Sequence, residues 1–403
     1  MRKNKKMEGL LNGIRVLDFG QYIACPFCGM LLADMGAEVI KIERVEFGEE
    51  GRHLGPFKDG VSMYVTAFNR NKKGITLNLQ SEKGKEMLCE LIKSADVIIE
   101  NFRPGVMKKM GFGYDTVKEI NPRIIMASIS GFGQNSRYSR RTCMDGIASA
   151  MGGLHAINYT KTGPRPTGLP LGDHIAGVYN ALAVMMALYD RAQTGQGQYI
   201  DTAMVDCIFS FFETRLPTFG INEVDIGVVP KYDTGDPLCC PSNVYECKDG
   251  EWICIHAGSD ANYKRFAMVT GDPKLMNEKY FIHLNRMANY EALDRLTADW
   301  FKTVTCEEAD KIVSDAGVPI SIVYDFKRMM KDPNSKEREL IVWTDVPGIG
   351  QVPYCGNPLK LKTRPINNRN RAPLLGEHNR EVYKNLLKYS EKQLLALQEE
   401  GII

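Results

Sequence analysis

The chain has 403 residues, of which 44% are apolar and 25% are charged, and its formal net charge is +2. That length is enough for two domains with sizeable cores. So small a net charge argues against binding to nucleic acid or to an acidic membrane. The basic start is not followed by an apolar signal-peptide core, and eleven cysteines without an export signal indicate free thiols in the reducing cytoplasm.

Short apolar runs alternate with amphipathic segments in the first third of the chain. The predicted elements are a strand at 16–19, a helix at 26–35, a strand at 38–43, a strand at 75–79, a helix at 81–94, and strands at 97–100 and 123–129. Such alternation favours parallel βαβ units with right-handed crossovers. The predicted fold class is therefore α/β, with a doubly wound, Rossmann-like large domain.

A long apolar run at 175–188 follows the pair Gly172-Asp173. We predict a buried helix here, because the run is shorter than a membrane span and has charged flanks. Asp173 is the candidate N-cap of this helix. At a helix N-terminus the unpaired amide N–H groups and the macrodipole favour an ionised carboxylate, and such a group can act as a nucleophile.

The pattern changes after residue 205, which predicts a division into domains. A hairpin with an Asp-Gly turn is predicted within 243–256 and is followed by helical patterns. The predicted parts are a large domain beginning with 1–205, a linker at 206–235, a small α+β domain at 236–330, a linker at 331–345, and a carboxy-terminal part at 346–403 with helices at 377–387 and 390–400.

An ordered set of motifs resembles one enzyme family. The motifs are Gly13-Ile-Arg-Val-Leu-Asp-Phe19, Leu32-Ala-Asp-Met-Gly-Ala-Glu-Val-Ile-Lys-Ile-Glu-Arg44, Phe68-Asn-Arg-Asn-Lys-Lys-Gly-Ile-Thr-Leu-Asn78, Ile99-Glu-Asn-Phe-Arg-Pro-Gly105, Ser128-Ile-Ser-Gly-Phe-Gly133, Gly172-Asp-His-Ile-Ala-Gly177 and Leu375-Gly-Glu-His-Asn-Arg-Glu-Val382. Together they span nearly the whole chain and resemble the class III CoA-transferases, which include formyl-CoA and carnitine CoA-transferases. The resemblance implies that the tail returns to the large domain. It also implies a homodimer of two chains interlocked like linked rings.

The resemblance also implies a mechanism. The Asp173 carboxylate would attack an acyl-CoA thioester to give a mixed anhydride, and CoA thiolate would then form an aspartyl thioester that passes CoA to a small carboxylic acid. Covalent catalysis of this kind keeps the thioester from water and needs neither a metal nor a tightly bound cofactor.

The resemblance further implies which residues contact CoA. By match to formyl-CoA transferase, Gln21, Tyr22, Ile23 and Ala24 would line the pantetheine end, Arg44 would meet the phosphates, Leu77, Asn101 and Phe102 would flank the adenine, and Arg103 and Lys109 would add basic contacts. Guanidinium and ammonium groups pair well with phosphates, although a surface charge or plain core packing explains any one of these residues alone. The chain departs from that enzyme at Gln21-Tyr-Ile23, and it lacks a run of consecutive glycines in the small domain.

Other functions remain as alternatives. Cys25-Pro-Phe-Cys28 opens a predicted helix after a strand, as in thioredoxin-like redox sites, so a redox protein or a non-catalytic CoA-binding protein is one alternative. A zinc site is disfavoured because Cys239 and Cys240 are adjacent and there is no second Cys-x-x-Cys pair. A dinucleotide-binding enzyme is disfavoured because no G-x-G-x-x-G is present.

An acyl-CoA racemase of the same family is a closer alternative. Those enzymes move an α-proton with a His–Asp pair, and the position of that histidine is here Met144, before Asp145. Methionine cannot carry a proton, so we expect Asp145 to be structural. His155 and His174 remain alternatives as acid–base groups, although we expect each to be a packed or solvated histidine.

The acceptor acid is predicted from the segment 206–240. Its apolar and aromatic residues are Phe209, Phe211, Phe212, Phe219, Ile221, Val228 and Tyr232. Such walls favour a short-chain 2-hydroxy acid over formate or oxalate, unless these residues only pack the linker. Carnitine is the second candidate, because the small domain resembles the carnitine transferase and a quaternary ammonium needs an aromatic or acidic cage, for which Tyr232, Asp233 and Asp236 are candidates.

Overall fold

Helices and strands alternate along most of the chain. The structure is a computed structural model and describes residues 9–160, 163–213, 215–222, 235–236, 238–364, 366 and 370–403. The strands are β1 (Arg15–Asp18), β2 (Glu38–Glu43), β3 (Phe57–Lys58), β4 (Val61–Ser62), β5 (Lys73–Thr76), β6 (Val97–Glu100), β7 (Ile125–Ser130), β8 (Tyr159–Thr160), β9 (Gly163–Pro164), β10 (Tyr199–Ala203), β11 (Ser242–Glu246), β12 (Trp252–His256), β13 (Ile320–Ile322), β14 (Ile341–Val346) and β15 (Gly350–Cys355).

The helices follow the same order. They are α1 (Ala24–Asp34), α2 (Met63–Phe68), α3 (Glu82–Lys93), α4 (Val106–Lys109), α5 (Tyr114–Ile120), α6 (Asp145–Met151), α7 (Leu154–Ile157), α8 (Leu171–Thr194), α9 (Met204–Phe209), α10 (Arg215–Asn222), α11 (Asp260–Thr270), α12 (His283–Ala288), α13 (Tyr290–Phe301), α14 (Cys306–Asp315), α15 (Phe326–Lys331), α16 (Pro333–Glu337), α17 (Asn379–Leu387) and α18 (Glu391–Glu399). Short 3-10 helices lie at Glu50–His53, Ser210–Phe212 and Glu278–Phe281.

One six-stranded sheet organises the first of two compact units. Its order is β5-β2-β1-β6-β7-β10, and every neighbouring pair is parallel. The chain builds outward from β1 to β5 and then crosses back to build the other half from β6. This confirms the predicted α/β class with a parallel sheet. Strand β10 was not predicted, because Asp201 and Thr202 interrupt its apolar pattern at the edge of the sheet.

Both faces of this sheet are covered by helices. Successive side chains of a strand point to opposite faces, and in a parallel sheet both sets are apolar. Leu17 packs on one face with residues of α3 and the carboxy-terminal helices, including Leu91 and Tyr383. Its neighbour Val16 packs on the other face with α1 and α8, including Ala176. The first compact unit is 1–154, 166–212 and 333–403, so the tail belongs to the same unit as the sheet.

Helix α8 is longer than the apolar run from which it was predicted. It has 24 residues, begins after Pro170 and ends at Gly195, whose φ of 73° is left-handed. Asp173 is therefore a residue of the first turn and not the N-cap, and it makes no side-chain capping bond. Among the described helices, α8 is the one long and apolar enough to cross a membrane, a test that buried core helices also pass.

The second compact unit is 155–165 and 213–332. It contains the predicted hairpin, β11–β12, with a third antiparallel strand β13 that was too short to predict. The predicted linker 206–235 holds helices α9 and α10 in its described part, and the predicted linker 331–345 holds α16 and the start of β14. Val228, Tyr232 and Asp233 lie outside the described residues.

Candidate active site

Two loops meet where the direction of sheet building reverses, at the carboxyl ends of β1 and β6. Ligands of doubly wound sheets bind at this place. The Gln21 backbone N–H donates to Asn101 Oδ1 at 2.7 Å, and Asn101 Nδ2 donates back to the Gln21 carbonyl at 2.8 Å. The Phe102 N–H donates to Glu100 Oε2 at 2.7 Å. These bonds fix two predicted CoA-binding segments against each other.

A cavity of about 830 Å³ opens beside these loops, within the first unit. The predicted residues that line it are Gln21, Tyr22, Ala24, Arg44, Leu77, Asn101, Phe102, Arg103 and Asp173. The predicted nucleophile and most predicted CoA contacts therefore share one cavity. Ile23 and Lys109 do not line it. Ile23 is buried as the N-cap of α1, and Lys109 is exposed at the end of α4.

The arginines of the cavity differ in their partners. Arg44 Nη2 lies 2.8 Å from Glu50 Oε1, and its guanidinium stacks 4.2 Å from the centroid of the Phe47 ring. Arg103 is exposed and has no acidic partner within salt-bridge distance among the described residues. Arg103 is thus open to an anionic ligand, whereas Arg44 must exchange Glu50 for one.

A buried ion cluster supports the loop after β1. Lys72 Nζ donates to Asp18 Oδ2 at 2.7 Å, to the Pro26 carbonyl at 2.8 Å and to Asn69 Oδ1 at 2.8 Å. Lys41 donates to the Gly20 carbonyl, and Asp18 Oδ1 accepts the Gly20 N–H at 2.7 Å. The cluster satisfies the backbone of the turn that leads to Gln21 and Tyr22.

Glu49 is the second buried carboxylate of this cluster. It lies 3.6 Å from Lys41 Nζ and accepts the Tyr22 N–H at 3.1 Å. Burial alone would raise the pKa of Asp18, but the Lys72 and Lys41 ammonium groups outweigh it and hold that pKa below its ordinary value. Burial raises the pKa of Glu49, and Lys41 offsets only part of that rise.

Asp173 lies at the tip of α8 without such a partner. No described residue donates a hydrogen bond to its carboxylate or pairs with it as a cation. Its own backbone N–H donates to Asp145 Oδ1 at 3.1 Å, and Ser149 Oγ lies 3.5 Å from Asp145 Oδ2. Asp145, at the start of α6, thus supplies the acceptor that a side-chain cap of α8 would have supplied.

Burial raises the pKa of Asp173 to about 7, and the neighbouring Asp145 carboxylate adds to the rise. At a pKa of about 7 this carboxylate is about half ionised at neutral pH, so the helix N-terminus does not by itself keep it fully ionised. The favourable dipole acts on Asp173 together with desolvation and a second negative charge, and the latter two dominate. A carboxylate that is poorly solvated and unpaired is a stronger nucleophile once it is ionised.

The cavity wall also includes the segment 141–145, of which the sequence analysis considered only Met144, at the position of a racemase histidine, and Asp145, as a structural residue. Arg141, Thr142, Cys143, Met144 and Asp145 all line it. Burial raises the pKa of the Cys143 thiol to about 11, and the charge of Asp173 adds to this. A Cβ on Gly131 would lie 2.4 Å from Cys143 Sγ, so the glycine of Ser130-Gly-Phe132 lets the segment approach. Gly131 was therefore the feature of the sequence that could have indicated this close approach.

His174 is packed and does not line the cavity. Its Nδ1 lies 2.7 Å from the Pro170 carbonyl, and its ring lies 4.9 Å from Phe27 and 5.7 Å from Phe68, centroid to centroid. Tyr64 belongs to the same aromatic group. Its pKa is raised by burial and by the charge of Asp173, so the phenol lies close enough to sense that carboxylate.

The Cys-x-x-Cys pair is part of the core. Cys25 and Cys28 are fully buried and free. Burial raises the pKa of the Cys25 thiol well above its ordinary value and that of Cys28 to about 12. Redox cysteines need an accessible, low-pKa thiolate, and this pair has neither property.

Two groups in the second unit offer ligand atoms for a metal ion. Asp236, Cys239 and His256 form one, and Cys247, Asp249 and Cys306 form the other. Spacing alone did not reveal them, because the fold joins Cys239 to a histidine at the end of β12. Asp236 Oδ2 lies 3.2 Å from Cys239 Sγ, and Ser242 Oγ lies 2.8 Å from His256 Nδ1, so both ligand-bearing side chains already have partners within the protein.

A doubly wound sheet with a cavity at its reversal point is typical of α/β proteins that bind a ligand at this place, and an unpaired carboxylate on the wall is typical of their active sites. The chain matches the model of CoA-transferase family III over residues 11–379 and belongs to that family. It is an enzyme of the CoA-transferase class, as the sequence resemblance predicted.

The similar proteins extend over nearly the whole chain. The succinyl-CoA–D-citramalate CoA-transferase of Chloroflexus aurantiacus is 33% identical over 398 residues, which is 98% of each chain. The beta subunit of succinyl-CoA–L-malate CoA-transferase from the same organism is 33% identical over 399 residues, again 98% of each chain. The crystal structure of a CaiB/BaiF family protein from Brucella suis has a TM-score of 0.83 at 29% identity, covering 94% of this chain and 100% of that one.

Proposed function

We propose that this enzyme moves CoA from an acyl-CoA to a short-chain 2-hydroxy acid and that Asp173 is its nucleophile. The observation that carries the proposal is the unpaired Asp173 carboxylate on the wall of a cavity shared with the predicted CoA-binding loops. Buried carboxylates at the same end of the sheet are instead paired with cations, as Asp18 is with Lys72 and Glu43 is with Arg52.

In the proposed reaction an oxygen of Asp173 attacks the thioester carbonyl carbon, the C–S bond breaks, and CoA leaves as thiolate. The thiolate then attacks the aspartyl carbonyl, and the first acid departs with the oxygen that breaks from that carbonyl. The acceptor carboxylate repeats these steps in reverse and leaves as a new acyl-CoA. The short, bonded loops around Gln21 and Asn101 would hold the pantetheine end near Asp173, because a fixed thiol converts the second attack into an intramolecular step.

The 2-hydroxy acid rests on the similar proteins. Two of those proteins are named for D-citramalate and L-malate, both of which carry a hydroxyl beside a carboxylate. The described aromatic residues of 206–240 that were predicted to form its walls, among them Phe209, Phe211 and Phe212, do not line the cavity. Phe132 and Met204 line the cavity, and Phe132 is buried. Carnitine is the second candidate, and of its proposed cage residues only Asp236 lies within the described part of the chain.

A competition among malate, citramalate, lactate, oxalate and carnitine, read by mass spectrometry of the CoA esters, distinguishes the candidates. A preference for carnitine or oxalate over every 2-hydroxy acid would overturn this acceptor assignment.

Asp173→Asn tests the nucleophile. We expect CoA exchange between acyl-CoA and acid to fall by at least about 10³-fold, as for the loss of a covalent nucleophile. Wild-type enzyme with acyl-CoA should give hydroxylamine-sensitive labelling at this residue, and the variant should give none. Asp190→Asn, at an exposed aspartate of the same helix, is the matched control and should exchange normally. Normal exchange by Asp173→Asn would reject the assignment, and epimerisation of a chiral acyl-CoA without exchange would indicate a racemase.

We further propose that two copies form an interlocked homodimer. Supporting this, α8 exposes an apolar stripe at helical spacing, formed by Val178, Leu182, Met185 and Tyr189, with Tyr189 73% exposed. Monomeric proteins rarely leave so many large apolar side chains in water on one face. Sedimentation should show a dimer that does not dissociate on dilution, since threaded chains separate only by unfolding. A monomer at low concentration, or a requirement for a second kind of chain, would contradict the proposal.

A further inference from the structure

The backbone of Tyr22 is strained at the wall of the cavity. Its φ is 62°, in the left-handed region that a bulky aromatic residue rarely adopts. Tyr22 and Ala24 line the cavity, whereas Ile23 between them is buried and does not line it. Strain of this kind persists only where neighbouring groups hold the backbone, and it concentrates at sites that clamp a ligand.

One buried carboxylate from the loop after β2 holds this backbone. Glu49 Oε2 accepts the Tyr22 N–H at 3.1 Å, and the Glu49 side chain is fully buried. No backbone carbonyl of the described residues accepts the same N–H. The contact with Glu49 is therefore the bond that fixes Tyr22 in its left-handed conformation.

The other oxygen of Glu49 is also occupied. Asn69 Nδ2 donates to Oε1 at 2.8 Å, and Lys41 Nζ lies 3.6 Å from the same atom. Oε1 thus faces two donors while Oε2 faces the Tyr22 N–H. The position needs two accepting oxygens, which glutamate has and glutamine does not.

The Glu49 contact lies beside the reacting end of the cavity. An added Cβ on Gly51 would lie 3.3 Å from Glu49 Oε2 and 3.4 Å from Tyr64 Cδ1, so these two side chains are neighbours. After burial, the charge of Asp173 is the largest cause that raises the pKa of Tyr64, and Glu49 and Tyr22 add to it. A shift of Tyr22 would therefore change the wall close to the nucleophile.

We infer that Glu49 is a positioning residue that holds Tyr22 in its left-handed conformation, so that the loop after β1 is shaped for the pantetheine arm of CoA before CoA binds. This rests on the proposed transfer of CoA in this cavity. Glu49 does not line the cavity and acts through the Tyr22 backbone. A loop that is shaped in advance spares the ligand the cost of ordering it.

Glu49→Gln tests this role without a change of size. The single amide oxygen of glutamine is drawn to the two donors at Asn69 and Lys41, which turns its NH2 against the Tyr22 N–H. The Kd for CoA, measured by isothermal titration, should rise roughly 10-fold, because a hydrogen bond to a charged group is lost. The KM for butyryl-CoA should rise similarly, with kcat within about threefold of wild type, since Asp173 is unchanged.

A second background shows whether the effect passes through Tyr22. Glycine adopts a left-handed φ without steric cost, so Tyr22→Gly removes the need for a group that holds the backbone. In the Tyr22→Gly background, Glu49→Gln should change the Kd for CoA by less than about twofold, as expected for coupled residues. An undiminished effect would show that Glu49 acts elsewhere and would overturn the inference.

The strain itself is tested with Glu49 intact. Tyr22→Gly should melt at a higher temperature than Tyr22→Ala, because alanine must still be forced into the left-handed region. Equal melting temperatures would reject the strain and with it the inference. This comparison decides the matter even where Glu49→Gln fails to fold.

Asp34→Asn is the matched control. Asp34 is as buried as Glu49 and pairs with Arg70, and it does not line the cavity. The variant should lower the melting temperature and leave the Kd for CoA unchanged. An unchanged Kd in Glu49→Gln, or an equal rise in Asp34→Asn, would overturn the inference. Wild type that binds CoA but exchanges it with no acid would reject the proposed function, and the Kd comparisons would still decide the role of Glu49.

Discussion

Asp18 and Asp173 lie in the same unit and follow different electrostatic rules. Asp18 is fully buried and bonded to Lys72, whereas Asp173 is half-buried beside a second carboxylate and has no cation. Their pKa values move in opposite directions, below the ordinary value for Asp18 and up to about 7 for Asp173. Burial acts on both, so the partner charge decides whether a buried aspartate stabilises the fold or stays available for chemistry.

Removing the cation from the paired site should give the largest stability change. Lys72→Met leaves Asp18 buried without its closest partner, which typically costs about 3–5 kcal/mol in the free energy of unfolding. Urea unfolding measures this. Lys73→Met is the control, because Lys73 is partly exposed and pairs with Glu38 and Glu381 at the surface, where an ion pair contributes about 1 kcal/mol or less. Equal losses for the two variants would refute the contrast.

Neutralising Asp173 should change the free energy of unfolding in the opposite direction and stabilise the protein. The folded pKa of Asp173 is about 7, above its unfolded value, so the folded state binds the extra proton and stability falls as pH rises from about 4 to 7. Asp173→Asn removes this cost. We expect the variant to be more stable than wild type by roughly 1–3 kcal/mol at pH 8 and to lose that advantage towards pH 4. Thermal unfolding across pH reports it, and a variant that is less stable at pH 8 contradicts it.

The neighbouring carboxylate should set part of the pH dependence. Exchange needs ionised Asp173, so kcat/KM should rise with pH through about 7 in wild type. Asp145→Asn removes the like charge while its amide oxygen still accepts the Asp173 N–H. The rising limb should then move to lower pH by roughly half a unit to one unit, since burial remains. If the rising part of the profile of kcat/KM against pH does not move, Asp145 acts only as the acceptor of the Asp173 N–H.

The smallest effect is expected at the cysteines beside Asp18. The double variant Cys25→Ala, Cys28→Ala should keep the rate of CoA exchange within about twofold of wild type. Neither cysteine lines the cavity, and neither thiol ionises near neutral pH. Exchange assays under reducing and oxidising conditions measure this. A loss of activity that follows oxidation of the wild type would revive a redox role.

The sequence was sufficient for the alternation of strands and helices in the first third of the chain, because most residues of each central strand are apolar and amphipathic segments separate the strands. It was also sufficient for the loops after β1 and β6, which motif resemblance located. It was insufficient for Lys41 and Lys72, which lie in β2 and just before β5 and whose partners come from other segments. A lysine inside the run Val39-Ile-Lys-Ile42 is typical of a buried charge, but only the fold shows what neutralises it.

The same limitation applies to the site. Resemblance placed Asp173, but its raised pKa depends on Asp145, which is 28 residues away in sequence. Arg141 was missed because a basic residue in a polar stretch is usually a surface charge, and its two aromatic neighbours come together only in the fold. Ile23 was placed at the ligand because its neighbours in the chain are there, and the start of α1 turns it into the core instead.

The bond from the Asp173 amide to Asp145 also makes this backbone position a reporter. Amides in the first turn of a helix have no acceptor within the helix and exchange rapidly with solvent deuterium. Here one of them is held by a carboxylate from a distant segment. A slowly exchanging amide at the tip of α8 would therefore record that the two acidic segments are assembled, before any substrate is added.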